Sequence, residues 1–342
     1  MKHLLIIRLS AMGDVAMTVP VIRALIHQHP QVKITVVSRA FFRPFFADIP
    51  RVNFFAAEVK DKHKGVSGIY HLFQDTKKLK IDAVADFHNV LRSKILCTFF
   101  RLTGIKTAQT TKNRADRKAL TRSENKIFKP IKTVFEHHSD TLAKLDLPID
   151  LNNQPQLVKK DLNQVITAKF GNKLDGKWIG IAPFAQYETK VYPQDLMQEV
   201  IRKLSENSAY KIFLFGGGGE EIKKLENLQQ NLPNVAVVAG SLAFTDELIL
   251  IQNLDLMLSM DSGNAHIAAM YQIPVVTLWG QTHPYTGFSP FNQPMENCLT
   301  ADREKYPLIP TSVYGKRQVE GYENVMRTIA PETIVQKMVN LL

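Results

Sequence analysis

The hexapeptide Asp261-Ser262-Gly263-Asn264-Ala265-His266 stands between two apolar runs, LDLMLSM (254–260) and IPVVTLWG (273–280). Its residue types suit capture of an anion. A turn from a strand into a helix leaves backbone N–H groups unbonded and sets the positive end of the helix dipole beside them. Gly263 allows close backbone approach, Ser262 can cap the helix or donate to an anion, and His266 in the first helical turn can add a hydrogen bond. Together these make a diphosphate cradle. Asp261 and Ser262 are equally ordinary helix caps, with His266 a satisfied polar residue, and both readings stand at this point.

Two other turns carry similar chemistry. In FLFGGGGEEIKKL (213–225), Gly216, Gly217 and Gly218 leave bare backbone after a strand, against which a ribose or phosphate could lie. A dinucleotide fingerprint would need glycine at position 221, where Glu221 stands, and no acidic residue ends the following strand, so an NAD-dependent enzyme is disfavoured. In RLSAMGDVAMTVP (8–20), Gly13 gives backbone freedom and Asp14 opens a helix. That Asp is either a cap favoured by the dipole or a carboxylate able to take a proton from a hydroxyl nucleophile.

Positioning these turns requires alternating strands and helices. Apolar runs at 3–9, 33–39 and 81–87 in the first half, and at 178–184, 211–216, 235–240, 254–260 and 275–280 in the second, alternate with helical patterns. Strands apolar on both faces and separated by helices imply parallel sheets covered on each side. Two such series predict two doubly wound α/β domains. The polar, proline-containing segment LDLPIDLNNQPQLVKKDLNQ (145–164) separates them and puts the boundary near residue 165.

The 342-residue length agrees with two domains. No apolar run reaches membrane-spanning length, and the first residues read as a strand, so a cytoplasmic protein is expected. Cys97 and Cys298 lack metal-ligand spacing, which argues against a disulfide scaffold and a structural zinc. Lys and Arg outnumber Asp and Glu by 43 to 32, a net charge of +11. Ten of those bases fall within 101–132, against only Asp116 and Glu124. Such a stretch is a solvated surface or a contact for nucleic acid, anionic lipid or a phosphorylated substrate. No helix-turn-helix, zinc-finger or RNA-binding signature is present, so no nucleic-acid partner is expected and an anionic acceptor or membrane surface is the better expectation.

Three motifs in order now carry a resemblance. RLSAMGDVAMTVPVIRAL, APFAQYETKVYP and MDSGNAHIAAMYQIPVVTLWGQTHPYTGFSP resemble segments of the glycosyltransferase family 9 heptosyltransferases, the ADP-heptose:lipopolysaccharide enzymes, and span residues 8 to 290. The resemblance implies a GT-B architecture of two Rossmann-like domains facing across a cleft. Residues 1–165 would bind the acceptor, 166–325 the nucleotide sugar, and a C-terminal helix in 326–342 would pack back on the first domain. It implies an inverting, metal-independent transfer with no cofactor beyond the nucleotide-sugar donor.

Position by position, Asp14 matches the proposed base, and Lys190 matches a lysine on the donor phosphates. Ser262, Gly263 and His266, with Asn264 between them, match the phosphate turn, and Asp261 matches an acidic residue associated with the donor sugar. Arg8, Ser10 and Gly13 fall on the acceptor side. The implied partners are ADP-heptose, an anionic glycolipid acceptor of lipid A/Kdo type, and the inner face of the inner membrane by peripheral contact. The chain departs from the pattern at Ala11-Met12, at Tyr192 where tryptophan is usual, and at His283 where an acidic residue is common. The alternatives are a related transferase using another nucleotide sugar and a non-catalytic nucleotide-sugar-binding protein of the same fold.

Overall fold

The computed structural model describes residues 2–342. It divides into two compact α/β units: Met1–Asn113 with Lys132–Gln156, and Arg114–Ile131 with Leu157–Leu342. In the first unit, β1 (His3–Ile7), β2 (Lys33–Ser38), β3 (Val52–Ala56), β4 (Ala83–Asp86) and β5 (Lys106–Gln109) form a parallel sheet in the order β3-β2-β1-β4-β5. The short α1 (Met12–Ala16) and α2 (Thr18–Gln28) follow β1, α3 (Gly65–Lys77) leads into β4, and α4 (Leu91–Leu102) joins β4 to β5. All five residues of β1 are buried, as expected for a central parallel strand. Alternation sends Leu5 and Ile7 to one face, where they meet Ile69, Leu72 and Phe73 of α3 and Leu96, Cys97 and Phe100 of α4.

The chain enters the second unit early through α5 (Arg114–Thr121) and returns to the first for α6 (Val134–Ala143), before α7 (Gln164–Phe170) begins the second unit's main run. There β6 (Lys177–Ala182), β7 (Tyr210–Leu214), β8 (Val235–Val237), β9 (Leu256–Met260), β10 (Val275–Trp279) and β11 (Cys298–Thr300) pair in parallel in the order β11-β10-β9-β6-β7-β8. Helices α8 (Gln194–Ser205), α9 (Gly219–Gln229), α10 (Phe244–Gln252) and α11 (Gly263–Met270) connect the strands, and α12 (Pro331–Val339) ends the fold.

One boundary differs from the sequence expectation. The main crossing lies at Gln156–Leu157 rather than near residue 165, because 157–163 already binds the second unit. Lys160 N donates to Gln252 Oε1 at 3.3 Å, and Asn253 Nδ2 donates to Lys160 O at 2.9 Å. The C-terminal helix belongs to the second unit. Ile334 and Met338 of α12 enter the second unit's core with Val200, Ile201 and Leu204 of α8. Arg327 forks onto Asp195 at 2.8 and 3.0 Å, and Lys203 pairs with Glu332.

Tyr192 explains part of that docking. Its ring is buried at 1% exposure, and its hydroxyl donates to Ile329 O at 2.6 Å, tying the chain before α8 to the chain before α12. Tyr192→Phe leaves that buried carbonyl without its donor. It should cost about 1–3 kcal/mol, read as a lower denaturant midpoint with unchanged slope.

Candidate active site

Each unit gathers its polar side chains where its strands end. In the second, the chain leaves β6 and forms a short 3-10 turn, Glu188–Lys190. Lys190 Nζ lies 2.9 Å from Asp261 Oδ2, the two side chains being 13% and 7% exposed. Thr282 Oγ1 donates to the same oxygen at 2.9 Å. An ammonium has three donors, and no second acceptor engages this one among the described residues, so Lys190 keeps N–H groups available to an incoming anion.

The turn beneath Lys190 is held by backbone. Thr189 Oγ1 donates to Gly315 O at 2.5 Å, and Gln281 N donates to Thr189 O at 3.1 Å. Gly315 has φ +82°, and a Cβ there would stand 2.6 Å from Lys190 Cδ and 2.9 Å from Thr189 Oγ1. A Cβ at Gly280 would stand 2.6 Å from Thr189 O. Gly280 and Thr282 lie in the third sequence motif without a role assigned there, and Gly315 was unmarked; only the fold brings these distant positions around Lys190.

Asp261 ends the strand segment, and Ser262 occupies the N-cap of α11. The cap expectation is not realised by the side chain. Ser262 makes no cap hydrogen bond, and its Oγ lies 3.1 Å from Ser259 Oγ. Gly263, Asn264 and Ala265 form the first turn of α11, followed by buried His266. The helix N-terminus is thus left without a side-chain cap beside Asp261.

The glycine turn has a different character. Gly218 has φ +84° at the N-cap of α9, and Gly217 N donates to Glu221 Oε2 at 2.7 Å. The carboxylate at the position where a dinucleotide fingerprint has glycine therefore occupies the turn's amide. A phosphate against Gly216, Gly217 and Gly218 would meet negative charge, which corrects the phosphate expectation there, whereas a sugar hydroxyl could donate to Glu221.

His283 is also accounted for. Burial, with Arg303 and Lys126 adding to it, pushes its pKa down to about 4. Its Nδ1 accepts from Tyr285 N at 3.1 Å, and its ring packs edge-on to Phe128 and Tyr285. It is an uncharged turn-former at neutral pH.

The basic stretch 101–132 is split between the two units. Within the second, Lys126 Nζ donates to Leu120 O, Leu308 O and Pro310 O at 3.1, 2.8 and 2.8 Å. Arg117 lies over Phe288 and donates to Tyr314 Oη at 2.8 Å, and Arg303 covers Phe128. Arg117 and Lys126 of the stretch are thus engaged within their own unit.

In the first unit, Arg8 follows β1 and Asp14 is the third residue of α1. Arg8 Nη1 donates to Phe87 O at 2.7 Å, and Arg8 Nη2 pairs with Asp14 Oδ2. That oxygen also accepts from Ala11 N at 3.1 Å, so Asp14 serves the helix start and faces a cation at once. Its Oδ1 has no hydrogen-bond partner among the described residues. Ser10 and Gly13 lie in the same turn. His88, unmarked in the sequence, joins the cluster, its pKa pushed down to about 3 by burial, with Arg8 adding to the shift. Asp86 braces the backbone beneath it, accepting from His88 N and Asn89 N at 2.9 Å each.

With this geometry in place, similarity to known proteins assigns the chain. Residues 69–314 match the family profile of glycosyltransferase family 9 (heptosyltransferase). Lipopolysaccharide heptosyltransferase 3 of Escherichia coli is 22% identical over 86% of this chain and 88% of its own. The fold is that of a glycosyl transferase family 9 structure from Veillonella parvula, with TM-score 0.76 and 17% identity over 99% and 97% of the two chains. It is also that of E. coli ADP-heptose lps heptosyltransferase II, with TM-score 0.69 and 21% identity over 100% and 98%. Two Rossmann-like parallel-sheet units of the GT-B class, a held carboxylate and a buried lysine accompany a family match over most of the chain: this protein belongs to glycosyltransferase family 9 and is a glycosyltransferase of the heptosyltransferase type.

Proposed function

We propose that the chain moves a heptose from ADP-heptose to an anionic inner-core acceptor of lipopolysaccharide, in one displacement that inverts the anomeric centre and needs no metal. The observation that carries the reading is Asp14. Arg8 and the Ala11 amide hold one carboxylate oxygen and leave the other without a partner, as a base aimed at an acceptor hydroxyl requires. As that hydroxyl loses its proton to Asp14 Oδ1, its oxygen bonds to the anomeric carbon and the bond to ADP breaks.

Charge then grows on the departing diphosphate. Lys190 and the uncapped start of α11 at Ser262, Gly263 and Asn264, with His266 behind them, supply the compensating positive potential. A fixed ammonium in this position takes the part a metal plays in other transferases. The donor identity is supported by the similar E. coli protein named for ADP-heptose, while Glu221, an acceptor suited to a ribose hydroxyl, would serve any nucleoside diphosphate. Among the described residues no helix is long and apolar enough to cross a membrane. We place the enzyme in the cytoplasm, on the inner face of the inner membrane where a glycolipid acceptor would be met.

Asp14→Asn should lower turnover by about 10²–10⁴-fold while ADP affinity stays within about twofold; comparable losses in both would reject the base. Lys190→Ala should weaken ADP binding by at least about tenfold, and unchanged affinity in calorimetry would remove Lys190 from the phosphates. Gly315→Ala, which pushes on the Lys190 stem without removing charge, should weaken ADP binding by a smaller factor. Titration with ADP, UDP and GDP in the presence of a chelator tests donor and metal together: selective ADP binding is expected, and preference for UDP or GDP would transfer the same chemistry to another nucleotide sugar.

A further inference from the structure

Three connections at the carboxyl edge of the first unit's sheet each turn a large apolar side chain into solvent. Phe41 follows β2, Val66 lies in the first turn of α3 after β3, and Leu91 opens α4 after β4; they are 57%, 63% and 76% exposed. In a parallel sheet all these connections emerge on one edge, the edge where β1 delivers Arg8 to Asp14. Tyr70, one helical turn beyond Val66, is 44% exposed and continues the apolar surface along α3.

The charges beside them are arranged against the ordinary logic of helices. Lys64 is the N-cap of α3, Arg92 and Lys94 lie in the first turn of α4, and neither first turn holds an acidic residue. The helix dipole favours anions at those positions. Among the described residues no carboxylate pairs with Lys64, Arg92 or Lys94. Exposed apolar side chains on loop tips, ringed by unneutralised cations, complement a surface that is apolar below and anionic above.

We propose that this rim, Phe41, Val66 and Leu91 with Lys64, Arg92 and Lys94, docks on an anionic lipid bilayer. The apolar residues enter the headgroup boundary, and the cations meet the lipid phosphates. The docked edge is the one that carries Asp14, so an acceptor hydroxyl held at the bilayer surface is presented to the base; that consequence, though not the docking itself, rests on the proposed function. Within the basic stretch 101–132, Arg117 and Lys126 are engaged in the second unit and are not part of this rim.

The test is co-sedimentation of the full chain with vesicles of phosphatidylcholine alone and of phosphatidylcholine with phosphatidylglycerol, with ADP calorimetry in parallel. Binding to the anionic vesicles is expected, far exceeding that to the zwitterionic ones and falling with salt. Val66→Asp combined with Leu91→Asp should reduce partitioning by about tenfold or more, and Lys64→Glu combined with Lys94→Glu should do so on anionic vesicles only, both pairs keeping the parent's ADP affinity. Absence of vesicle binding, equal binding to the two compositions, or unchanged binding in both double variants would overturn the rim. Vesicles carry no donor or acceptor, so loss of ADP selectivity with lipid binding intact would strike the proposed function and leave the rim standing.

Discussion

The ion pair of Lys190 and Asp261 is the constraint around which the second unit's site is built. Both groups are largely out of water, where a lone charge is costly and removing either partner would strand the other. Asp261 also accepts from Thr282, while Lys190 keeps N–H groups open. The surroundings follow from holding that arrangement. Gly280 and Gly315 lack side chains where a Cβ would strike Thr189 or the lysine stem, and the Thr189 hydroxyl locks the turn to Gly315.

The first unit carries a cation–carboxylate pair with the opposite polarity. Arg8 engages Phe87 O and Asp14 through its two terminal nitrogens, and an oxygen of the carboxylate is left over. One unit thus exposes an acceptor of protons and the other a donor to anions. The proposed transfer assigns the first role to its nucleophile and the second to its leaving group. Both lie at the carboxyl ends of parallel strands, the position at which doubly wound sheets present their ligands.

Histidines close to these pairs are kept neutral. Burial, with Arg8 adding to it, suppresses protonation of His88, and burial, with Arg303 and Lys126, does the same at His283. His283 accepts a backbone amide, and the His88 backbone is braced by Asp86. The fold thereby avoids adding positive charge beside cations that already have work to do. Lys126 follows related logic: its three hydrogen bonds to carbonyls satisfy an ammonium partly withdrawn from solvent.

The sequence alone determined the α/β class, the central strands and the turns that bear Asp14, Lys190 and the Asp261–His266 cluster. Runs such as HLLII and LMLSM are buried on both faces, and that burial writes an unmistakable apolar pattern. It did not reveal β3, β5 or β11, all at sheet edges; β5 (KTAQ) is polar and β11 has three residues, whereas β8, an edge strand too, was marked by its apolar run. Motif pattern placed Asp14 and Asp261 in turns but left open whether each was a cap. The folded chain decided that Asp14 both serves the helix start and faces Arg8, that Ser262 does not cap α11, and that Glu221 closes the glycine turn. It alone sent 114–131 into the second unit and α12 onto α8. For 114–131 and α12 the reason is distance, because their partners lie tens or hundreds of residues away; for Asp14, Ser262 and Glu221 the partners are near in sequence, and spacing does not record the side-chain rotamer and backbone geometry that select among them.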